Sequence, residues 1–363
     1  MENGSKQIRS KSLTGGTKER SRASTASRRT SGEDAPEIPK RQDPSKVVWP
    51  QKLLLASPRG FCAGVRRAID ALNRLVEAHP RQTIYCFHQI VHNTYVVSEF
   101  ESKGVKFVNS LEEVPENSII VFSSHGVSPQ VRQQAEKKKL KTIDATCPFV
   151  TKTHLEVKKY ASEGDKIIYI GQSHHDEAVG ATGEAPESTV IVQTPEEIEA
   201  LEISPSQKVA LVTQTTLSFD ETEGLRQALK SKYPHLIEPS HSDICMATQN
   251  RQNGVKELVQ SGAKVVIVLG SANSSNSNKL KKVAEKMGVK AVLIDEISEL
   301  DLSLIESVEC VGLTAGASLP ENKITKALEW FKDHGTKTIE EILVADESSI
   351  SLPTVDTHQP SKA

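Results

Sequence analysis

Residues 53–72 read LLLASPRGFCAGVRRAIDAL: an apolar run, a turn containing Pro58, Gly60 and Cys62, then apolar residues at helical spacing. The run at 53–56 is short and aliphatic, which predicts a strand buried on both faces. The segment 65–78 predicts a helix. The same order recurs down the chain. Apolar runs at 84–87, 119–122, 167–170, 209–212, 265–269, 292–294 and 311–313 predict further strands. Helices are expected over 129–138, 148–162, 220–233 and 320–334. Strands alternating with helices point to an α/β fold with parallel sheets.

The polar segments mostly follow the strand runs directly. HQIVHN (88–93), SSHGVS (123–128), GQSHHDE (171–177), TQTT (213–216), GSANSSNSN (270–278) and TAGAS (314–318) all do so. Parallel sheets bind ligands at the carboxyl ends of their strands. These loops are therefore expected to converge on one face or centre.

A chain of 363 residues exceeds one small core. The texture suggests three similar α/β lobes with small, mostly parallel sheets: 47–147 with the N-terminal strand, 148–241, and 242–343 with a closing C-terminal segment. Residues 1–46 carry 11 basic and 6 acidic side chains and few large apolar ones, so they read as a disordered basic tail. Residues 344–363 read as a second loose tail. The net charge of −2 argues against a polyanion binder, and no nucleic acid is expected as a partner. Mean hydropathy is −0.38. No apolar stretch is long enough for a membrane helix, and no apolar signal segment follows the N-terminus.

The five cysteines are odd in number and widely spaced, which argues against a disulfide framework. Cys86 and Cys310 lie in apolar runs and read as core. Cys62, Cys147 and Cys245 share another setting. Each occupies a turn just before a helical segment, in RGFCAGV, DATCPFV and SDICMAT. They stand 85 and 98 residues apart, one in each third of the core. A thiolate ahead of a helix feels free N–H groups and the positive end of the dipole. Pro148 suits a first helical position. Three such thiolates suit an iron–sulfur cluster with one iron left open, which suggests catalysis more than electron transport. Zinc is the competing metal, although no close Cys or Cys–His pair has zinc-finger spacing.

His92, His125 and His175 come from post-strand loops and suggest a polar pocket. Ser274, Ser275 and Asn276 offer hydroxyl and amide donors before a helix, as phosphate requires, or else a helix cap. The GxxxxGK spacing of a nucleotide P-loop is absent. Ser318, three residues before Glu321, fits either a ligand or a capping box. Glu177, two residues after His175, could protonate a leaving oxygen, with His175 as relay.

Together the motifs PRGFCAGVRRAI, VHNTYVV, FSSHGVS, DATCPFVTKTH, HHDEAVG, TQTTLS, DICMATQNRQ, GSANSSNSNKL and TAGASLPE resemble the 4-hydroxy-3-methylbut-2-enyl diphosphate reductases. The likeness runs in order from about residue 52 to 331. It implies three lobes around one central 4Fe–4S cluster bound by Cys62, Cys147 and Cys245, its fourth iron open to substrate. It implies no directly bound nucleotide cofactor. His92, His125, Ser274, Ser275, Asn276 and Ser318 would hold the diphosphate, with His175 close by. Thr215 would orient the substrate hydroxyl and Glu177 would deliver the proton. Ferredoxin or flavodoxin would supply electrons.

The chain departs from the family pattern at a few places, among them the missing second Glu of the run that reads HHDEAVG here. Gln89 stands where Glu is common, and Asp176 and Ala178 replace the common Pro and Val. His175 and Glu177 are kept. The form of PRGFCAGV favours a cytoplasmic over a plastid location. The competing functions are an open-iron hydro-lyase and a cluster-bearing sensor that binds nucleic acid through its basic tail.

Overall fold

The computed structural model describes residues 48–204 and 206–347. β1 (Lys52–Ser57) leads through the first cysteine turn into α1 (Ala63–Ala78). β2 (Ile84–Phe87), α2 (Thr94–Ser102), β3 (Lys106–Val108), β4 (Ile119–Phe122), α3 (Pro129–Lys137) and β5 (Lys141–Asp144) follow. The middle third holds α4 (Pro148–Ser162), β6 (Lys166–Ile170), α5 (Asp176–Thr182), β7 (Thr189–Val192), α6 (Pro195–Glu199), β8 (Val209–Thr213) and α7 (Phe219–Lys232). The last third holds α8 (Met246–Gln260), β9 (Val265–Leu269), α9 (Ser275–Lys286), β10 (Lys290–Ile294), β11 (Cys310–Ala315), α10 (Glu321–Asp333) and β12 (Thr338–Leu343).

The strands form three sheets, ordered β3-β2-β4-β5, β7-β6-β8 and β10-β9-β11-β1-β12. All ladders in them are parallel. The α/β class with small parallel sheets is thus as the sequence suggests. β9 explains why such runs form central strands. Its five side chains, Val265 to Leu269, are at most 2% exposed, and burying each stabilises the fold by roughly 1.5–3 kcal/mol.

Sheet pairing departs from the expected lobes at one strand. β1 was assigned to the first lobe, but Leu53 lies opposite Val311 on one side and Ile339 on the other. It is an interior strand of the five-stranded sheet. Leu53, Leu54, Leu55 and Ala56 are each at most 4% exposed. Such a run needs cover on both faces and neighbours on both edges, which a place between β11 and β12 provides.

Four strands gave no apolar run: β3, β5, β7 and β12. All are edge strands, and β12, TIEEIL, is largely exposed or half-buried. The C-terminal segment also departs from expectation over 344–347. The Val344 N–H donates to the Ser57 carbonyl (2.9 Å), and Glu347 pairs with Arg251 (3.0 Å). The tail read over 1–46 and residues 348–363 lie outside the described residues. Cys86 is wholly buried in β2, where burial pushes its thiol pKa up. Cys310 opens β11, partly buried against the core.

Candidate active site

Each of the three singled-out cysteines caps a helix. Cys62 is the N-cap of α1, Cys147 of α4 and Cys245 of α8. The Val65 N–H donates to the Cys62 sulfur (3.5 Å). Pro148 occupies the first turn of α4, as its sequence position suggested. Gly64 makes the approach possible: a Cβ there would lie 2.5 Å from the Cys147 sulfur. The three thiols line one pocket together.

The helix ends do not lower the pKa values of Cys147 and Cys245 overall. Burial, with added repulsion from Cys62 and Cys245, pushes Cys147 up to about 12. Burial and Cys62 push Cys245 to about 12 as well. Backbone N–H groups of Phe149, Val150, Ala247 and Thr248 oppose this. Crowded buried thiols of this kind ionise when a cationic metal centre sits among them. The donor set therefore fits a metal–sulfide group held by three thiolates and backbone N–H bonds.

The pocket side of the thiols has a cavity of about 100 Å³. It brings together all the expected site residues: His92, His125, His175, Glu177, Thr215, Ser274, Ser275, Asn276, Ser318 and the three cysteines. All but Cys245, which follows α7, come from segments after β1, β2, β4, β5, β6, β8, β9 and β11, so the three sheets share one focus. No Lys or Arg lines it among the described residues. The rings of His92 and His125 stack at 3.9 Å, and His175 stands edge-on to both.

Several donors there are unspent. The Glu177 N–H donates to His175 Nδ1 (3.2 Å), so in the neutral ring the proton is on Nε2. That Nε2 is buried and has no partner among the described residues. The Ala317 N–H donates to Asn276 Oδ1 (2.9 Å), which leaves the buried Nδ2 in the same condition. Burial lowers the pKa values of His92, His125 and His175, the last to about 4. Neutral imidazoles, one of them with a buried, unspent N–H, suit an entering anion.

The two serines at the start of α9 divide their work. Ser274 is the helix cap, accepting from the Ser277 N–H (3.2 Å), and the Ser275 hydroxyl accepts from Thr216 (3.2 Å). The capping box suggested at Ser318 does not form. Pro320 is the N-cap of α10, and the Ser318 hydroxyl donates to the His92 carbonyl (3.0 Å), joining two pocket loops.

Two adjacent carboxylates have opposite surroundings. Glu177 is 1% exposed and accepts from the Thr215 N–H (2.7 Å) and hydroxyl (2.9 Å). Burial outweighs these donors and lifts its pKa to about 7. Asp176 points to the imidazoles instead, 2.8 Å from His88 Nδ1, 3.8 Å from His92 and 4.0 Å from His125. Burial opposes its ionisation, but the His88 hydrogen bond and the nearby rings hold its pKa below the usual value. His92, His125 and Asp176 bring three ligand atoms within 4.8 Å of one another, a spacing a divalent cation could also use.

The outer side of the thiols borders a second cavity of about 460 Å³, with Arg59, Arg66, Arg251, Glu321, Glu341 and Glu347 in its wall. Arg59 pairs with Glu341 (2.6 Å) and Glu321 (3.6 Å). Sequence reasoning missed Arg251, Glu347 and the Asp176–His88 pair. The polar run TQNRQ after Cys245 was the available signal for Arg251, and HHDE for Asp176. Nothing local marked Glu347.

Fold and site define an α/β protein that gathers three N-cap cysteines over a pocket of imidazole, hydroxyl and amide groups. The chain belongs to the LytB protein family, whose model matches residues 53–332. It is 47% identical over 322 residues to a 4-hydroxy-3-methylbut-2-enyl diphosphate reductase of Acidothermus cellulolyticus, covering 88% of this chain and 91% of the relative. The same-named protein of Streptomyces coelicolor is 46% identical, over 84% of this chain and 90% of its own length. The solved E-1-hydroxy-2-methyl-but-2-enyl-4-diphosphate reductase of Plasmodium falciparum superposes with a TM-score of 0.80 at 37% identity, covering 84% of this chain and 95% of that one.

Proposed function

We propose that the chain is an oxidoreductase that converts (E)-4-hydroxy-3-methylbut-2-enyl diphosphate to isopentenyl and dimethylallyl diphosphate, the last step of the methylerythritol phosphate route to isoprenoids. One observation carries this reading beyond family membership. Cys62, Cys147 and Cys245 line the same pocket as the Glu177–Thr215 pair and the unspent donors of His175 and Asn276.

The reaction consumes two electrons and two protons and releases water. Cys62, Cys147 and Cys245 would hold a 4Fe–4S cluster, which would supply the electrons and a Lewis-acidic iron for the substrate hydroxyl. The protein's own groups do the rest. His92, His125, Ser274, Ser275, Asn276 and Ser318 bind the diphosphate, with His175 beside them. The Thr215 hydroxyl donates to Glu177, so its lone pairs can accept from the substrate hydroxyl and orient it. Glu177, with a pKa near 7, carries the proton that lets the hydroxyl leave as water, and His175 relays its replacement. The second proton adds at either end of the allylic carbon chain, giving the two products.

Electrons come from a ferredoxin or flavodoxin, and the enzyme works in the cytoplasm. No described helix is long and apolar enough to cross a membrane. The test is anaerobic: reconstitute the cluster and follow oxidation of a reduced viologen dye on adding substrate. Substrate-dependent oxidation with five-carbon diphosphate products is expected. A loaded cluster with no oxidation sinks the reading, and water loss without electron uptake points to a hydro-lyase.

A further inference from the structure

Arg251 is fully buried. Its guanidinium donates to the Gly60 carbonyl (3.2 and 2.8 Å), two residues before Cys62. It also donates to the Ala247 carbonyl (2.8 Å), two residues after Cys245. One side chain thus fastens two of the three cysteine turns together. Gly60 serves this contact, because its φ of +62° is in the left-handed region and a Cβ would meet the Leu319 carbonyl at 3.0 Å.

A buried guanidinium without a partner costs several kcal/mol. Glu347 offsets that cost. Its carboxylate accepts from Arg251 at 3.0 and 3.2 Å and from the Asn250 amide at 3.1 Å. Glu347 follows β12 on the segment that Val344 ties to Ser57. It lies beyond residues 53–332, the span matched by the family model. Arg251 and Glu347 line the outer cavity together with all three cysteines.

We propose that Arg251 is a positioning residue for the three-cysteine site and that Glu347 cancels its charge, holding the potential of the bound cluster down. This rests on the cluster reading given above. Reduction adds negative charge to a cluster, so nearby positive charge makes its potential less negative and nearby negative charge makes it more so.

The test is an anaerobic redox titration of the reconstituted full-length wild type, Glu347→Gln and Glu347→Asp, with bound iron and sulfide measured on each. Glu347→Gln keeps the shape and removes the charge. It is expected to retain the cluster and to titrate at a less negative potential, while Glu347→Asp stays at the wild-type value. Equal potentials in wild type and Glu347→Gln overturn the charge claim and leave the cluster reading standing. A Glu347→Gln enzyme that loses the cluster while wild type keeps it makes the pair a structural clamp only, which also overturns the charge claim. No iron and sulfide on wild type overturns both.

Discussion

On its pocket side the three-cysteine site meets imidazoles, hydroxyls and amides, with no Lys or Arg among the described lining residues. On its outer side it meets three arginines and three glutamates, and two of those arginines are paired within the wall. The difference is in what remains available. Most of the outer ions are paired with one another, although Arg59 keeps its Nε unspent, whereas the pocket holds the neutral donors His175 Nε2 and Asn276 Nδ2 unspent. Buried donors without partners are costly. Two such donors face the pocket beside the thiols, where the proposed function puts the diphosphate.

The largest break in this arrangement is the loss of a thiol. Cys147→Ala is expected to abolish both bound iron–sulfide and activity, measured by iron analysis and dye oxidation. Replacing Glu177 separates the chemistry from the cluster. Glu177→Gln is expected to keep iron, sulfide and substrate binding while kcat falls about 10²–10⁴-fold. Unchanged kcat would remove Glu177 from the mechanism. Asn276→Ala tests the unspent donors. It is expected to raise KM roughly tenfold or more, as for a lost hydrogen bond to a charged group of about 1.5–3 kcal/mol, with kcat little changed.

The smallest effect concerns acidity. Glu177 must be protonated to act, and burial lifts its pKa from 4.5 to about 7. In wild type kcat should therefore fall as pH rises past about 7, a limb that Glu177→Gln lacks. Stability follows from the same shift. The folded-state pKa is the higher one, so the folded protein holds more protons between pH 4.5 and 7. Its stability falls as pH rises through that window. Above it, Glu177→Gln should be more stable than wild type by about 1–3 kcal/mol, read from denaturation midpoints at pH 5 and 8.

The sequence made interior strands and cysteine-capped helices legible because each is a local pattern. VVIVL is apolar at every position, and RGFCAGV puts thiol, turn and helix start within seven residues. Of the edge strands β8 and β10 were legible and β3, β5, β7 and β12 were not; β12 has polar and exposed residues where an interior strand has apolar ones. α8 was legible at its start, just after Cys245, but its length was not. Its buried residues include the consecutive polar run Gln249, Asn250, Arg251 and Gln252, which breaks the apolar helical spacing. The place of β1 depends on pairing with strands more than 250 residues away, which no local pattern encodes. The pocket residues were named from motifs. The opposite settings of Asp176 and Glu177 emerged only from their partners, His88 and Thr215.

The most direct test of the two-sided account is an anaerobic crystal structure of the reconstituted enzyme with 4-hydroxy-3-methylbut-2-enyl diphosphate. The account predicts a cluster on Cys62, Cys147 and Cys245, the diphosphate among His92, His125, Ser274, Asn276 and Ser318, and the hydroxyl end toward Thr215 and Glu177. A diphosphate bound on the outer side, among Arg59, Arg66 and Arg251, would contradict it.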